Sequence, residues 1–111
     1  MATLSTHVLD TEQGEPASGV PVALSRWDGA DLVLLAAYAT NQDGRIAGFM
    51  DEPLPVGSYQ LSFDVAAYFR AQGREIAFLT KVAVEFQILE PRHYHVPLLL
   101  SRYSCTSYRG S

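Results

Sequence analysis

Three histidines and two of the arginines are the residues of this chain whose type and placement suit proton transfer and anion binding. His7 sits within Leu4-Ser5-Thr6-His7-Val8-Leu9-Asp10, and His93 and His95 open the apolar run His93-Tyr94-His95-Val96-Pro97-Leu98-Leu99-Leu100. Arg45 directly follows Asp43-Gly44, and Arg109 stands in the closing Tyr108-Arg109-Gly110-Ser111, where most domains fray into a polar tail. An imidazole titrates near neutrality and so can move protons to and from water. A guanidinium can hold a planar, carbonyl-rich anion by forked hydrogen bonds. Plainer readings stand beside these. A histidine in a strand is commonly a surface or hydrogen-bonded residue, and Arg45 and Arg109 read equally well as solvated arginines beside turns or ends.

Other chemistries have less support. His93 and His95, two positions apart on a strand, can present two imidazoles to one zinc ion, but the third ligand would have to be His7. No cysteine is adjacent and the nearby carboxylates, such as Glu90, fall in turns, so neither a metal nor any other cofactor is expected. Cys105 has no local base to activate it, and no Ser-His-Asp set emerges from the scattered serines.

The elements that must position these residues read as strands separated by Gly, Pro, Asn and Asp, the pattern of an all-β sandwich rather than of alternating strands and helices. The first strand spans about Leu4 to Asp10, Thr11 to Pro16 forms a turn, and Gly19 to Trp27 gives the second strand. A third runs from Leu32 to Tyr38. The turn signal Thr40-Asn41-Gln42-Asp43-Gly44 then predicts a hairpin that returns through Arg45 to Met50. After Pro53 and Pro55, Gly57-Ser58 opens a strand through Tyr59, Leu61 and Phe63. One short helix is predicted over Val65 to Gln72, with Asp64 as N-cap and Gly73 just past the end. Phe78 to Leu89 alternates with Val82, Val84, Phe86 and Ile88 on one face, His93 to Leu100 follows the Glu90-Pro91 turn, and a last strand covers roughly Tyr103 to Arg109.

Period-two geometry puts Tyr94, Val96, Leu98 and Leu100 on the core face of their strand and His93, His95, Pro97 and Leu99 on the other. His7 faces away from Val8 by the same alternation, so His7 and His95 are expected on an outer face. His93, nearer the turn, reads as an exposed flank.

With 111 residues, the chain suits one domain, residues 1–111, with one core. A hydrophobic fraction of 48% against 18% charged residues describes a folding chain, not a disordered one. A formal net charge of -4 with no Lys/Arg cluster excludes a nucleic-acid binder. The single cysteine rules out an intrachain disulfide and suits a reducing compartment. With neither a signal-like start nor an apolar run of membrane-spanning length, a cytoplasmic protein without membrane contact is expected.

Taken together, the motifs resemble the transthyretin-related 5-hydroxyisourate hydrolases over nearly the whole chain. The resemblance rests on Leu4 to Asp10, on Thr40-Asn41 through Asp43-Gly44-Arg45, on His93 to Ser101 and on the terminal Tyr108-Arg109-Gly110-Ser111, with Tyr59, Phe63-Asp64 and Tyr68-Phe69 in support. It implies a transthyretin-like Greek-key β-sandwich of two four-stranded sheets with one short helix, assembled as a homotetramer, a dimer of dimers with sites at subunit interfaces. The implied reaction is metal-independent hydrolysis of 5-hydroxyisourate to 2-oxo-4-hydroxy-4-carboxy-5-ureidoimidazoline in urate breakdown. His7, Arg45, His95 and Ser111 are the implied catalytic residues; His7, Arg45, Tyr108 and Arg109 are the implied substrate contacts. Tyr108 is expected to floor the pocket, and the Ser111 carboxylate, from its own or a neighbouring subunit, to complete the polar network. The alternative is a non-catalytic transthyretin-like small-molecule binding protein. Leu79, Thr80, Arg102 and Cys105 depart from the pattern of the resemblance and put local loop shape, rather than chemistry, in question.

Overall fold

The computed structural model describes residues 2–111, which form nine strands and one helix. The strands are β1 (Thr3–Asp10), β2 (Glu15–Pro16), β3 (Pro21–Asp28), β4 (Asp31–Ala39), β5 (Arg45–Ile46), β6 (Gly57–Phe63), β7 (Val82–Ile88), β8 (His93–Leu100) and β9 (Cys105–Ser107); the helix is α1 (Val65–Ala71). One sheet is ordered β4-β3-β6-β7 and the other β2-β1-β8-β9, with β5 also paired to β1. Because β8 pairs along the whole of β1 in parallel, one edge of β1 is fully used. The opposite edge is shared by β5, opposite Thr6 and His7, and β2, opposite Leu9 and Asp10. The expected four-stranded sheet thus gains a fifth member by splitting one position between two short strands.

The sheets enclose a core built from the inward residues of alternating strands: Leu4 and Val8 of β1, Leu24 of β3, Tyr59, Leu61 and Phe63 of β6, and Leu98 and Leu100 of β8 are essentially inaccessible. Phe69 and Tyr68 of α1 join them. The helix is as expected at its ends. The Asp64 carboxylate accepts the Ala67 N–H at 3.1 Å, and Gly73 has the left-handed φ of 69° that stops a helix cheaply.

The hairpin expected between Leu32–Tyr38 and Arg45–Met50 does not form. β4 pairs instead with β3, closing at Asp28 opposite Asp31 through Gly29, whose φ of 62° suits a two-residue turn. The Asn41–Arg45 turn instead carries the chain across to the other sheet, where only Arg45 and Ile46 are strand. Burial decides this: Ile46 is 6% exposed against β1, and Phe49 and Leu54 follow it into the core. Tyr38 grips the crossing segment, its hydroxyl accepting the Met50 N–H at 3.2 Å and its ring meeting Phe49 edge-on.

Two expected strands are shorter than anticipated. Phe78 to Lys81 precede β7 as irregular chain, tied down by the Leu79 N–H on the Arg102 carbonyl (3.0 Å) and the Ala66 N–H on the Thr80 carbonyl (3.0 Å). β9 stops at Ser107 because Pro97, opposite the next position, has no N–H to give; the ladder resumes only as an isolated bridge between His95 and Gly110. Pro16, in the region expected to be a turn, sits on the short edge strand β2, where a missing N–H costs nothing.

A polar clamp joins β1 to the chain after α1. The Asp10 side chain is inaccessible to solvent and accepts from Arg74 Nη1 at 2.6 Å, the Tyr68 hydroxyl at 2.8 Å and the Glu12 and Gln13 N–H groups at 3.1 and 3.2 Å. Burial alone would raise the Asp10 pKa, but these donors outweigh it and hold the carboxyl below its ordinary 3.8. Burial, with Asp10 as hydrogen-bond partner, pushes the Tyr68 hydroxyl up to about 12. Glu12 extends the clamp to Arg102, which meets it through both backbone and guanidinium. Arg102, one of the departures from the resemblance, therefore has a structural partner.

Candidate active site

β1 is the spine of the site. Its alternation puts Thr3, Ser5 and His7 on the outer face, with Ser5 itself covered, while Leu4, Thr6 and Val8 face inward. The parallel register with β8 sets Thr3 beside His93, Ser5 beside His95 and His7 beside Pro97, so the expected shared outer face is observed. β5 then lays Arg45 directly opposite His7.

The turn that delivers Arg45 is held by Asn41. Its side-chain oxygen accepts the N–H groups of Asp43 (2.9 Å) and Arg45 (3.0 Å), while its backbone N–H donates to the Arg45 carbonyl (2.9 Å). Gly44 is required twice over. Its φ is 73°, and a Cβ there would lie 2.5 Å from the Val8 carbonyl oxygen, because the Val8 N–H closes on the Gly44 carbonyl at 2.7 Å. Among the described residues the Arg45 guanidinium has no carboxylate within ion-pair distance, unlike Arg74, Arg92 and Arg102.

An open depression of about 340 Å³ lies over this face, lined by Ser5, Thr6, Arg45, Ile46, Ala47, His93, His95 and Ser111. Four of the expected site residues are thus gathered on one face: Arg45, His95 and Ser111 around the depression and His7 paired to Arg45. The terminal segment is drawn over His95 by the Gly110 N–H, which donates to the His95 carbonyl at 2.7 Å. Gly110 packs so closely that a Cβ would sit 2.6 Å from His95 Cδ2.

Tyr108 and Arg109 are placed elsewhere. They line a separate cleft of about 340 Å³ against Val84 to Gln87 of β7, beside Tyr94 and Val96, at the edge where β7 and β9 end their sheets. Within one chain, therefore, Tyr108 does not line the His95 depression.

The surroundings of both imidazoles favour the neutral form. His95 is pushed below its ordinary 6.5 first by burial, then by the charge of Arg45 and by the neighbouring His7 and His93. His7 is lowered by burial and by Arg45, with partial compensation from the backbone and carboxylate of Asp43. A neutral imidazole can accept a proton from water, and the guanidinium beside it can take an anionic oxygen.

The structure adds residues not singled out from sequence. Ser5 Oγ lies 2.8 Å from both His93 Nε2 and His95 Nδ1, and Thr3 Oγ1 lies 2.6 Å from His93 Nδ1. His93 is exposed, as expected of a flank, yet both its ring nitrogens are engaged. The alternation of Thr3, Ser5 and His7 was the available signal; the parallel pairing that brings them to β8 was not. No group of three or more potential metal-ligating side chains occurs among the described residues.

Residues 4–110 match the HIUase/Transthyretin family. The chain belongs to this family. Within it, a 5-hydroxyisourate hydrolase of Mesorhizobium japonicum is 45% identical, the alignment covering 97% of this chain and 91% of that protein. The structure of Klebsiella pneumoniae 5-hydroxyisourate hydrolase superposes with a TM-score of 0.89 at 46% identity, covering 100% of both chains. Sea bream transthyretin, solved in complex with thyroxine, superposes nearly as well, with a TM-score of 0.88, but at 30% identity over 96% of this chain and 93% of that one. The family fold thus serves more than one function, and side chains must choose between them.

Proposed function

We propose that this protein hydrolyses 5-hydroxyisourate, opening its six-membered ring to give 2-oxo-4-hydroxy-4-carboxy-5-ureidoimidazoline. The observation that carries this reading is an arginine without a carboxylate partner, set opposite His7 and lining one open depression with His95. The identity to hydrolases over nearly the full chain supports it.

Arg45 holds the carbonyl-rich ring and offsets the charge that develops on the carbonyl oxygen under attack. His7 and His95 share the proton transfers. One takes a proton from the attacking water as the C–O bond forms, and that proton is returned, directly or by way of the other imidazole, to the ring nitrogen as the C–N bond breaks, so both rings end neutral. Ser111 contributes polar contact at the rim. The carboxylic acid produced ionises at neutral pH. Neither a metal nor a cofactor enters these steps. In a homotetramer arranged as a dimer of dimers, the outer face becomes an interface, and Tyr108 and Arg109, exposed at the β9 edge, reach substrate across it. A cytoplasmic location fits the unpaired, exposed Cys105.

The test is steady-state kinetics of His95→Ala, His7→Ala and Arg45→Ala on freshly generated 5-hydroxyisourate. Each histidine variant is expected to lose kcat by ~100-fold or more, the usual scale of general acid–base catalysis. Full activity in both would refute the site. Saturable ligand binding without turnover in the wild type would favour a transthyretin-like binding protein.

A further inference from the structure

We propose that Thr3, His93 and Ser5 form a proton relay that serves His95 through its Nδ1, with Ser5 and His93 as positioning residues for the reaction. The relay rests on the reading of His95 as a proton-transfer residue.

The geometry is a continuous chain of hydrogen-bonding atoms from the protein surface to the site. Thr3 Oγ1 meets His93 Nδ1 at 2.6 Å, His93 Nε2 meets Ser5 Oγ at 2.8 Å, and Ser5 Oγ meets His95 Nδ1 at 2.8 Å. Every link joins a hydroxyl to an imidazole nitrogen, and each of these groups can donate or accept. With all rings neutral, the chain closes in two ways. In one, Thr3 donates to His93 Nδ1, His93 Nε2–H donates to Ser5, and Ser5 donates to His95 Nδ1, leaving a proton on His95 Nε2. In the other every bond is reversed: His95 Nδ1–H donates to Ser5, Ser5 to His93 Nε2, and His93 Nδ1–H to Thr3. His95 Nε2 is then a bare base.

Passing between the two states moves one proton through the chain. When His95 Nε2 takes a proton from water, its Nδ1 proton passes to Ser5 and the Ser5 proton to His93 Nε2. The Nδ1 proton of His93 passes to Thr3, and the old hydroxyl proton of Thr3 leaves to solvent. One proton enters and one leaves, and no ring carries a net charge at the end. In the reverse passage His95 Nε2 gives its proton to the departing nitrogen while Ser5 returns one to Nδ1 and Thr3 draws one from solvent, which restores the bare base. The benefit follows from Arg45, which opposes a positive imidazolium beside it. A relay lets His95 alternate between base and acid without holding that charge. His95 is also fixed on its other side, since Gly110 packs against Cδ2. The ring therefore cannot turn away from Ser5 without displacing the terminal segment.

The decisive measurements are ring ¹⁵N shifts and solvent isotope effects. In the ligand-free wild type at neutral pH, His95 Nδ1 and His93 Nε2 are expected to be complementary, one protonated while the other is not, because one Ser5 hydroxyl joins them. Ser5→Ala and His93→Gln should each lower kcat about tenfold with KM little changed, and Ser5→Thr, which keeps the hydroxyl, should restore most of it. The curved dependence of kcat on deuterium fraction expected of several moving protons should become linear in Ser5→Ala and His93→Gln. Protonation of both ring nitrogens in the wild type, or unchanged kcat and isotope effects in folded variants of an active enzyme, would overturn the relay alone. Undiminished turnover in His95→Ala would overturn the site reading and the relay together.

Discussion

At the scale of single residues, the charge around the two imidazoles sets the pH response. Burial, and after it Arg45, lowers both His7 and His95 below 6.5, with His7 and His93 adding to the effect on His95 and Asp43 opposing that on His7. Protonation removes the base, so kcat/KM is expected to be level near pH 7 and to fall on the acid side with a midpoint below 6.5, read from a pH–rate profile. A midpoint above 7 would mean that the imidazoles are not shielded as described. Linkage has the same sign. A lowered folded-state pKa contributes stability that is complete above the unfolded value and is lost as pH falls through the folded one. Arg45 offers a second check. A lysine presents a point charge where the substrate requires a fork, so Arg45→Lys should cost ~10- to 100-fold in kcat/KM despite the retained charge. A loss under twofold would show that charge alone suffices.

Elements are joined by contacts that substitution should expose. Gly44 has a left-handed φ and no room for a Cβ against the Val8 carbonyl, so Gly44→Ala must displace β5 from β1. Thermal or urea unfolding should show a loss of about 1–3 kcal/mol, accompanied by weaker substrate binding because Arg45 moves with β5. At the other end of β1, Asp10 and Arg74 form a mostly buried pair, with side chains 0% and 16% exposed. Removing one partner strands the other, so Asp10→Ala is expected to destabilise by about 3 kcal/mol or more, measured by urea titration, with the site residues unchanged. Acid should weaken the same clamp. The depressed Asp10 pKa contributes stability that is complete above 3.8 and is lost as pH falls through the lower folded-state value.

What was legible in the sequence follows from which forces act locally. Alternation along β8 and β1 showed the outward histidines because the two-residue period is a property of the strand itself. The Asp64 cap and Gly73 end of α1 were equally local. The partner of β4 was not, because Asn41-Gln42-Asp43-Gly44 and Asp28-Gly29-Ala30-Asp31 are both turn signals, and the burial of Ile46 decides which sheet receives the chain. Nor was the place of Ser5 and His93 readable, since a parallel pairing across about ninety residues leaves no local trace. Pro97 shows a mixed case: its missing N–H is in the sequence, but its effect, an interrupted β9 that frees Tyr108 and Arg109, appears only once β8 and β9 are paired.

For the whole molecule, the sheets end at β7 and β9 on the edge where Tyr108 and Arg109 stand exposed, and the site is an open depression rather than an enclosed cavity. A tetramer would close it, and sizing by light scattering at micromolar concentration is expected to give four times the chain mass of 12.2 kDa. A monomer retaining full activity would mean that the single chain's depression suffices. The most direct measurement follows the ultraviolet absorbance of 5-hydroxyisourate, generated from urate by urate oxidase, with and without the wild-type protein and in the presence of EDTA. Decay far faster than the spontaneous rate, and unaffected by EDTA, is the predicted result. Decay at the spontaneous rate would contradict the hydrolase assignment, and activity abolished by EDTA and restored by a divalent metal would contradict the metal-free mechanism.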